Sequence, residues 1–257
     1  MKNCSNFWTR AAVLMLSGIL SLFLCCDKGN PINDTRHNPV FGTMTDIDGN
    51  LYKTIQIGNQ EWMAENLKTT RCSDGTPIPL VADSAAWGAL ATPGYCWYNN
   101  DTAHYGNTYG AIYNWHAVNT GNLAPAGWHV PDTTDWNILE NYLVANGYNW
   151  DGTTDSNRVA KSMAIDSFYW SFYETQGTVS CDVSTNNRSG LSALPGGIRT
   201  AYGEYIEIGS RACWWTSSAM PSDASGALCF NIYYDGVGLD RSGGSKKCGT
   251  SIRCVKD

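Results

Sequence analysis

The residues of this sequence best suited to covalent chemistry are its cysteines. Seven of the ten cysteines lie beyond the first 26 residues, at positions 72, 96, 181, 213, 229, 248 and 254. Neighbouring thiols form disulfides in an oxidising compartment, whereas in a reducing one they more often bind metal or take part in catalysis. Because seven is an odd number, these cysteines cannot all pair with one another.

Six of these cysteines are predicted to form three disulfides, although sequence alone does not determine the connectivity. The first pair lies in one loop-rich segment, the second on neighbouring strands, and the third closes a tight turn. A disulfide that closes such a loop contributes about 2–4 kcal/mol by restricting the unfolded chain. The predicted pairs are Cys72–Cys96, Cys213–Cys229 and Cys248–Cys254.

Aromatic side chains are the second group with a capacity for binding. They make up 12% of the chain, with 11 Trp and 14 Tyr residues, so rings can fill a core and still reach the surface. An exposed ring can stack on the flat apolar face of a sugar, while Asn and Asp side chains bind its hydroxyl groups. The binding candidates, in the late strands and their loops, are Tyr202, Tyr205, Trp214, Trp215, Tyr233 and Tyr234.

At most half of these six aromatic residues are expected to be exposed, because aromatic side chains are so often buried. Exposure is favoured for Tyr202 and Tyr205, which flank Gly203 in a predicted loop.

The common catalytic motifs are absent from the sequence, which favours a binding protein over an enzyme. The chain contains no Gly-x-Ser-x-Gly, no His-Glu-x-x-His and no glycine-rich phosphate-binding loop. His116 has no second His or Cys three or four residues away, so neither a metal site nor a cofactor is predicted. The net charge of -6, with no dense run of Lys or Arg, argues against nucleic acid as a partner.

Residues 1–26 are predicted to be a signal peptide. Lys2 and Arg10 supply positive charge, and residues 11–24 form an uncharged apolar run of 14 residues. This run suits the hydrophobic region of a signal peptide and is too short to span a bilayer. The protein is therefore expected to be exported, to the outer membrane or the cell surface.

A cysteine follows this apolar run directly, as in bacterial lipoproteins. Cys25 is the predicted lipidation site and Cys26 is the alternative. Leu22 has the spacing of a lipoprotein signal, although Leu24 stands where a small residue is usual. Residues 27–41 are polar and contain Pro and Gly, which predicts a flexible tether between a lipid anchor and a globular domain over residues 42–257.

The elements that must position these residues begin with a hairpin. Asp48-Gly49-Asn50 lies between segments with alternating apolar residues, a strong signal for a β-turn between antiparallel strands. A further strand is predicted within residues 60–67, and apolar spacing predicts a short helix over residues 109–118.

Two main helices and a run of late strands are predicted after this. Asp132 is a good N-cap residue, and Asp135 adds negative charge to the first turn of the helix that follows. A second helix is predicted over residues 158–164. The late strands are predicted at residues 212–217, 227–234 and 251–255. This order of elements predicts an α+β domain with antiparallel strands.

Six segments, in this order, carry a resemblance to a known family. They are EWMAENL (61–67), YGAIYNW (109–115), PAGWHVP (125–131), LPGGIR (194–199), WWTSS (214–218) and SIRCVKD (251–257). Together they resemble the Fibrobacter succinogenes major paralogous domain family. That family is similar in motif pattern to C-type-lectin-like domains and to formylglycine-generating enzymes.

The resemblance implies a C-type-lectin-like fold whose first and last strands pair, and burial of Trp214 and Trp215 within a family segment. Relatives often carry a cysteine where this chain has Ala124, so the partner of Cys254 differs here. Formylglycine-generating enzymes bind copper with two cysteines near the C-terminus, but the spacing of Cys248 and Cys254 differs from that pattern.

The favoured function is a lipid-anchored binding or adhesion module on the bacterial surface, with polysaccharide as the expected ligand class. The alternatives are a structural envelope protein that binds another protein, and a cryptic enzyme related to the formylglycine-generating oxidases.

Overall fold

The computed structural model describes residues 39–257. The predicted signal peptide, the lipidation candidates Cys25 and Cys26 and most of the predicted tether lie outside the described residues. Helices and antiparallel sheets both occur, which confirms the predicted α+β class. In residues 39–257 no helix is long and apolar enough to cross a membrane.

The elements are listed here in chain order. The strands are β1 (Phe41–Thr45), β2 (Leu51–Ile57), β3 (Gln60–Met63), β4 (Tyr95–Cys96), β5 (Ile112–Asn114), β6 (Trp128–His129), β7 (Gly196–Arg199), β8 (Tyr205–Ile208), β9 (Arg211–Ala219), β10 (Gly226–Tyr233), β11 (Asp240–Ser245), β12 (Gly249–Thr250) and β13 (Val255–Lys256). The helices are α1 (Ser84–Ala89), α2 (Asn107–Tyr109), α3 (Trp115–Val118), α4 (Thr133–Ala145) and α5 (Ala160–Met163). The strands form three sheets, in the orders β1-β2-β3-β13-β6, β11-β10-β9 and β4-β5-β12-β7-β8.

The predicted N-terminal hairpin is confirmed as β1 and β2, which pair in antiparallel register. The carboxylate of Asp46 stabilises the turn by accepting hydrogen bonds from the backbone N–H groups of Asp48 and Asn50, at 3.0 and 2.9 Å. Gly49 takes a φ of 83°, which a glycine adopts without steric cost. The Asp48-Gly49 pair therefore forms the turn because Gly49 accepts the positive φ that the turn requires.

The C-terminal strand lies inside the first sheet and not beside the first strand. The expectation that the first and last strands pair is wrong, because β13 pairs with β3 and β6 whereas β1 pairs with β2. A two-residue turn joins β2 to β3 and keeps them adjacent. Because β2 occupies one edge of β3, the C-terminal strand β13 pairs with the other edge. Beside this pairing, the Met63 N–H donates to the Cys254 carbonyl at 3.0 Å.

The helix predicted to begin after Asp132 is confirmed as α4. Asp132 Oδ1 accepts hydrogen bonds from the N–H groups of Thr134 and Asp135, at 2.6 and 3.0 Å. The Asp135 carboxylate accepts in return from the Asp132 N–H at 2.9 Å, which completes a capping box. The buried residues of the helix are Trp136, Leu139 and Leu143.

Two other helix predictions are corrected. The second main helix, predicted over residues 158–164, forms only the single turn α5. The helix predicted over residues 109–118 is wrong, because the chain turns at Gly110, continues as β5 and becomes helical again only in α3. Gly110 has a φ of 77°, and a Cβ there would lie 2.9 Å from the carbonyl oxygen of Leu67, so helix cannot continue through it.

The late strands are confirmed in part. The predictions at residues 212–217 and 227–234 correspond to β9 and β10, which pair with each other. The strand predicted over residues 251–255 is wrong for most of its length, because residues 252–254 have no regular structure. This irregular stretch turns the Arg253 side chain into the core.

Arg253 is fully buried and binds three separate parts of the chain. Its Nε donates to Asn66 Oδ1 at 2.9 Å, and its Nη2 donates to the Ser192 carbonyl at 3.0 Å. Its Nη1 donates to the Leu191 carbonyl. The guanidinium carbon also lies 5.6 Å from the ring centre of Trp214. Burial lowers the pKa of Arg253 to about 9, so the side chain remains charged at neutral pH.

None of the six cysteines predicted to pair is in a disulfide. The predicted pairing of Cys72 with Cys96 is wrong, because the two residues belong to different core clusters. The predicted pairing of Cys248 with Cys254 is wrong as well, because the extended strand β12 lies between them instead of a tight turn. Cys213 and Cys229 do lie side by side, on β9 and β10, with both thiols reduced.

We expect Arg253→Leu to lower the free energy of unfolding by about 3–5 kcal/mol, because it leaves buried oxygen atoms without a donor. Urea unfolding followed by tryptophan fluorescence measures this. Lys256→Met is the control, since Lys256 pairs with Glu61 at 2.7 Å on the exposed side of the sheet, and its loss should cost less than about 1 kcal/mol. Equal stability of the two variants would contradict the role given to Arg253.

His129 links the last residue of the chain to α4. Its Nδ1 lies 2.8 Å from Asp257 and its Nε2 lies 3.2 Å from Asp135. Partial burial opposes protonation, but the hydrogen bonds to Asp257 and Asp135 outweigh it and raise the pKa of His129 above 6.5. The stabilisation is then fully present below the unfolded-state pKa and is lost as the pH rises through the raised folded-state value.

We therefore expect His129→Gln to destabilise the protein more at pH 5.5 than at pH 8.5. Thermal unfolding of both proteins at the two pH values measures the difference. A destabilisation that is the same at both pH values would show that the two carboxylates do not act on a charged imidazole.

Candidate ligand-binding surface

The hairpin of β7 and β8 positions the most exposed of the predicted aromatic residues. Its turn carries Tyr202, of which 83% is exposed. Gly203 in the same turn has a φ of 91°, and a Cβ there would lie 2.5 Å from the carbonyl oxygen of Ser84 in α1. The turn therefore packs closely on α1 while the Tyr202 ring points into solvent.

Tyr205, the first residue of β8, is held by polar contacts. Its hydroxyl donates to Asn100 Oδ1 at 2.7 Å, and the guanidinium of Arg199 lies 4.7 Å from its ring centre. Arg199 is fully buried and donates to the carbonyl oxygens of Ala82 and Gly203, at 2.8 and 3.0 Å. Burial raises the pKa of Tyr205, so its hydroxyl stays protonated at neutral pH.

Tyr205 is the end of a row of five tyrosine rings, each in contact with the next. The centres of neighbouring rings are 5.3–6.1 Å apart, within the range of favourable aromatic pairs. Tyr98 is buried and Tyr169 is exposed, so the row runs from the core to the surface. The tyrosine row consists, in spatial order, of Tyr205, Tyr98, Tyr105, Tyr109 and Tyr169.

The row leads into residues 168–173, which we call the aromatic segment. Phe168 is 93% exposed and Phe172 is 68% exposed. Between them Trp170 is buried, and the Ser171 N–H donates to the Gly209 carbonyl at 2.7 Å. Large exposed rings are thus carried on a backbone that is anchored to the β8–β9 turn.

Tyr233 and Tyr234, at the end of β10, are half-buried and border the aromatic segment. The Tyr234 ring lies 5.7 Å from the ring of Tyr173, and its N–H donates to the Ser210 carbonyl at 2.9 Å. The Tyr233 ring lies under the guanidinium of Arg211, at 5.2 Å. We call the tyrosine row, the aromatic segment and these two tyrosines together the aromatic surface.

Trp214 and Trp215 are core residues, which corrects their place among the binding candidates. Both are almost completely buried. Trp214 Nε1 donates to Asn66 Oδ1 at 3.0 Å, and Trp215 Nε1 donates to the Tyr113 carbonyl at 3.1 Å. Residues 212–216 of β9 are buried on both faces of the strand, so neither ring can reach a ligand at the surface.

A charged pair lies beside the half-buried ring of Tyr233. Arg211 Nη1 donates to Glu207 Oε2 at 2.9 Å, and the same guanidinium donates twice to Asn231 Oδ1, at 2.9 and 2.7 Å. Glu207 has a φ of 65°, a strained conformation for a residue other than glycine. A carboxylate and a guanidinium next to aromatic rings supply the hydrogen-bond acceptor and donors that a hydroxyl-rich ligand requires.

Most of the aromatic surface was not predicted from the sequence. Of the six predicted residues, Tyr205, Tyr233 and Tyr234 belong to it, and Tyr202 is exposed on the neighbouring turn. The available signal was the run Phe-Tyr-Trp-Ser-Phe-Tyr at 168–173, which has five aromatic residues in six positions and fits neither helical nor strand spacing. The contacts of Tyr98 with Tyr205 join distant parts of the chain and leave no local signal.

A separate shallow hollow of about 400 Å³ shares no residue with the aromatic surface. Trp115, His116, Lys246 and Lys247 line part of it. Burial and then the charges of the two lysines lower the pKa of His116, which favours the neutral imidazole. Across residues 39–257 no group of three or more His, Cys, Asp or Glu side chains is placed to hold a metal ion.

The fold and this surface define an α+β domain with antiparallel sheets and a band of partly exposed aromatic rings. The model of the Fibrobacter succinogenes major domain matches residues 55–256, which is most of the chain. The chain belongs to that family. No curated protein and no solved structure matches it significantly.

Proposed function

We propose that this protein is an extracytoplasmic binding module that holds polysaccharide on the aromatic surface. The observation that carries the proposal is the pair Phe168 and Phe172, two large apolar rings that face solvent on an anchored backbone. Isolated exposed apolar residues are common, but contiguous ones next to a polar rim are typical of binding sites.

The physical basis of this binding is the chemistry of a pyranose ring. One face of the sugar is apolar and can cover an aromatic ring. The apolar area that this removes from water stabilises the complex by about 25 cal/mol per Å². Its hydroxyl groups meet donors and acceptors, for which Glu207 and Arg211 at the edge of the Tyr233 ring are candidates. Because the backbone of the aromatic segment is already anchored through Ser171, little conformational entropy is lost on binding.

We also propose a C-type-lectin-like fold, which the arrangement supports except that the first strand does not pair with the last. The C-terminal strand lies between β3 and β6, one capped helix packs behind the sheet, and β9 to β11 follow as antiparallel strands. A protein partner is the second candidate, since exposed aromatic residues are also enriched at protein interfaces. We propose a non-catalytic role in either case.

The polysaccharide proposal predicts that Phe168→Ser with Phe172→Ser weakens binding about thirtyfold, since two stacking contacts of about 1 kcal/mol each are lost. Co-sedimentation of the full-length protein with insoluble cellulose, xylan, chitin and peptidoglycan, together with a glycan array, measures this. The matched control is Tyr142→Ser, which removes an exposed ring on α4 outside the aromatic surface.

Both variants should retain the wild-type free energy of unfolding to within about 0.5 kcal/mol, because exposed side chains contribute little to stability. Equal loss of binding in both variants would contradict the proposed surface. If the wild-type protein binds none of these glycans, the polysaccharide proposal fails and the protein partner becomes the favoured candidate.

The proposed lipid anchor has its own test. Cells grown with an alkyne-tagged fatty acid should label the wild-type protein, and the label should be lost in Cys25→Ser or in Cys26→Ser, whichever is the acylated residue. The other single variant then serves as the control. A wild-type protein that takes up no label in cells that label other lipoproteins would reject the anchor.

A further inference from the structure

Two thiols in the second sheet form a cluster that the aromatic surface does not use. Cys213 lies opposite Asn231, and Cys229 lies opposite Trp215, in the antiparallel pair of β9 and β10. Cys213 and Cys229 therefore point to the same face of the sheet and are diagonal neighbours. The Cys213 thiol is close enough to the Cys229 sulfur to stabilise its ionised form.

Polar groups surround the Cys229 sulfur in a way that favours its ionised form. Ser242 Oγ lies 3.2 Å from it, and Asn231 Nδ2 lies 3.9 Å from it. Arg211, bonded to Asn231 Oδ1, adds a positive charge nearby. The neighbouring Cys213 thiol, together with the hydrogen bond from Ser242 and the charge of Arg211, outweighs burial and lowers the pKa of Cys229 to about 6.

At the other predicted disulfide cysteines burial is the dominant influence on the thiol. Burial raises the pKa of Cys72, Cys96, Cys213, Cys248 and Cys254. A thiolate, and not a thiol, is the nucleophile in exchange with a disulfide. Cys229 differs from all five in that the groups around its sulfur outweigh burial, and it differs from Cys72, Cys96, Cys248 and Cys254 in having another thiol beside it on the sheet.

Cys229 is buried, so we infer that reagents reach its sulfur when β11, the strand paired beside it, opens. Ser242, its contact on that strand, is only partly buried, and Gly243 and Gly244 follow it. β11 is an edge strand of its sheet, with β10 on one side only. Edge strands that carry glycine open locally at low free-energy cost, so brief opening of β11 exposes a sulfur that is otherwise buried.

We propose that Cys229 is a redox modification site, at which a small-molecule disulfide reacts with the Cys229 thiolate and Cys213 acts as the resolving thiol. The thiolate attacks one sulfur of the oxidant RSSR, which forms a Cys229–S–S–R bond and releases RS⁻. Cys213 then attacks the Cys229 sulfur, forms the Cys213–Cys229 bond and releases the second RS group, which leaves with the Cys213 proton as RSH. The two cysteines are oxidised, and one disulfide is reduced to two thiols.

The bridge should be reversible. Diagonal positions on antiparallel strands are about 7–8 Å apart at Cα, which is longer than the usual span of a disulfide. The ladder between β9 and β10 is irregular between Ala227 and Cys229, which gives the strand room to adjust. A bridge that must draw the strands together is more readily reduced than an unstrained one.

The test uses the reduced full-length protein and oxidised glutathione at pH 7. Trypsin cannot separate the two cysteines, because residues 212–240 contain no Lys or Arg, but cyanogen bromide cleaves between them at Met220. We expect the two fragments to remain joined until a reductant is added. In Cys213→Ser, which keeps a hydroxyl donor, one glutathione should remain attached to Cys229.

The rate of alkylation supplies a readout that does not depend on any variant. Iodoacetamide should modify Cys229 about tenfold faster than Cys72 at pH 7, since Cys229 is mostly ionised whereas Cys72 is mostly protonated. Cys72→Ser is the control and should leave the joined fragments unchanged. The proposal is overturned if the wild-type fragments separate without reductant after exposure to glutathione disulfide, or if Cys229 reacts no faster than Cys72.

Discussion

The buried guanidinium of Arg253 is the interaction on which the rest of the structure depends. It joins the end of the chain to the Asn66 side chain after β3 and to the carbonyl groups of Leu191 and Ser192. An arginine has five donors in a fixed plane and stays charged when buried, so it can satisfy several buried oxygen atoms at once. The cost of its burial is offset only if all of these partners are present, and this makes the local fold cooperative.

Arg199 is a second buried arginine that binds backbone carbonyl groups, and it lies where the aromatic surface meets the core. Its guanidinium lies between the rings of Trp87 and Tyr205, at 4.5 and 4.7 Å, and it bonds carbonyl groups of the segment before α1. The chain therefore uses a buried cation to hold an irregular segment against a hairpin. Lys161 is a third example, since its Nζ donates to the carbonyl groups of Thr178 and Asp182. Irregular backbone at this depth would otherwise leave its carbonyl groups unsatisfied.

Local signals in the sequence were sufficient where the structure itself is local. The turn at Gly49 and the cap at Asp132 act within a few residues, and both were predicted correctly. The helical spacing of apolar residues gave a wrong prediction around Gly110, because the backbone there lies close to Leu67 and cannot continue as a helix. Most of the aromatic surface could not be predicted from the sequence, because its ring contacts join residues that are far apart in the chain. The contact of Tyr98 with Tyr205 is an example. The predicted pairing of Cys72 with Cys96 failed because sequence spacing does not reveal which core cluster a thiol joins.

The position of β13 between β3 and β6 has a consequence for the order of events during synthesis. Until the final residues are available, β3 has one unpaired edge, and Asn66 and the carbonyl group of Leu191 lack the arginine that binds them. A nascent chain can form the β1–β2 hairpin early, but it cannot close its first sheet before β13 has been synthesised. The first sheet is thus completed only after all of the other strands of the domain have left the ribosome, so its closure cannot be an early step of folding during synthesis.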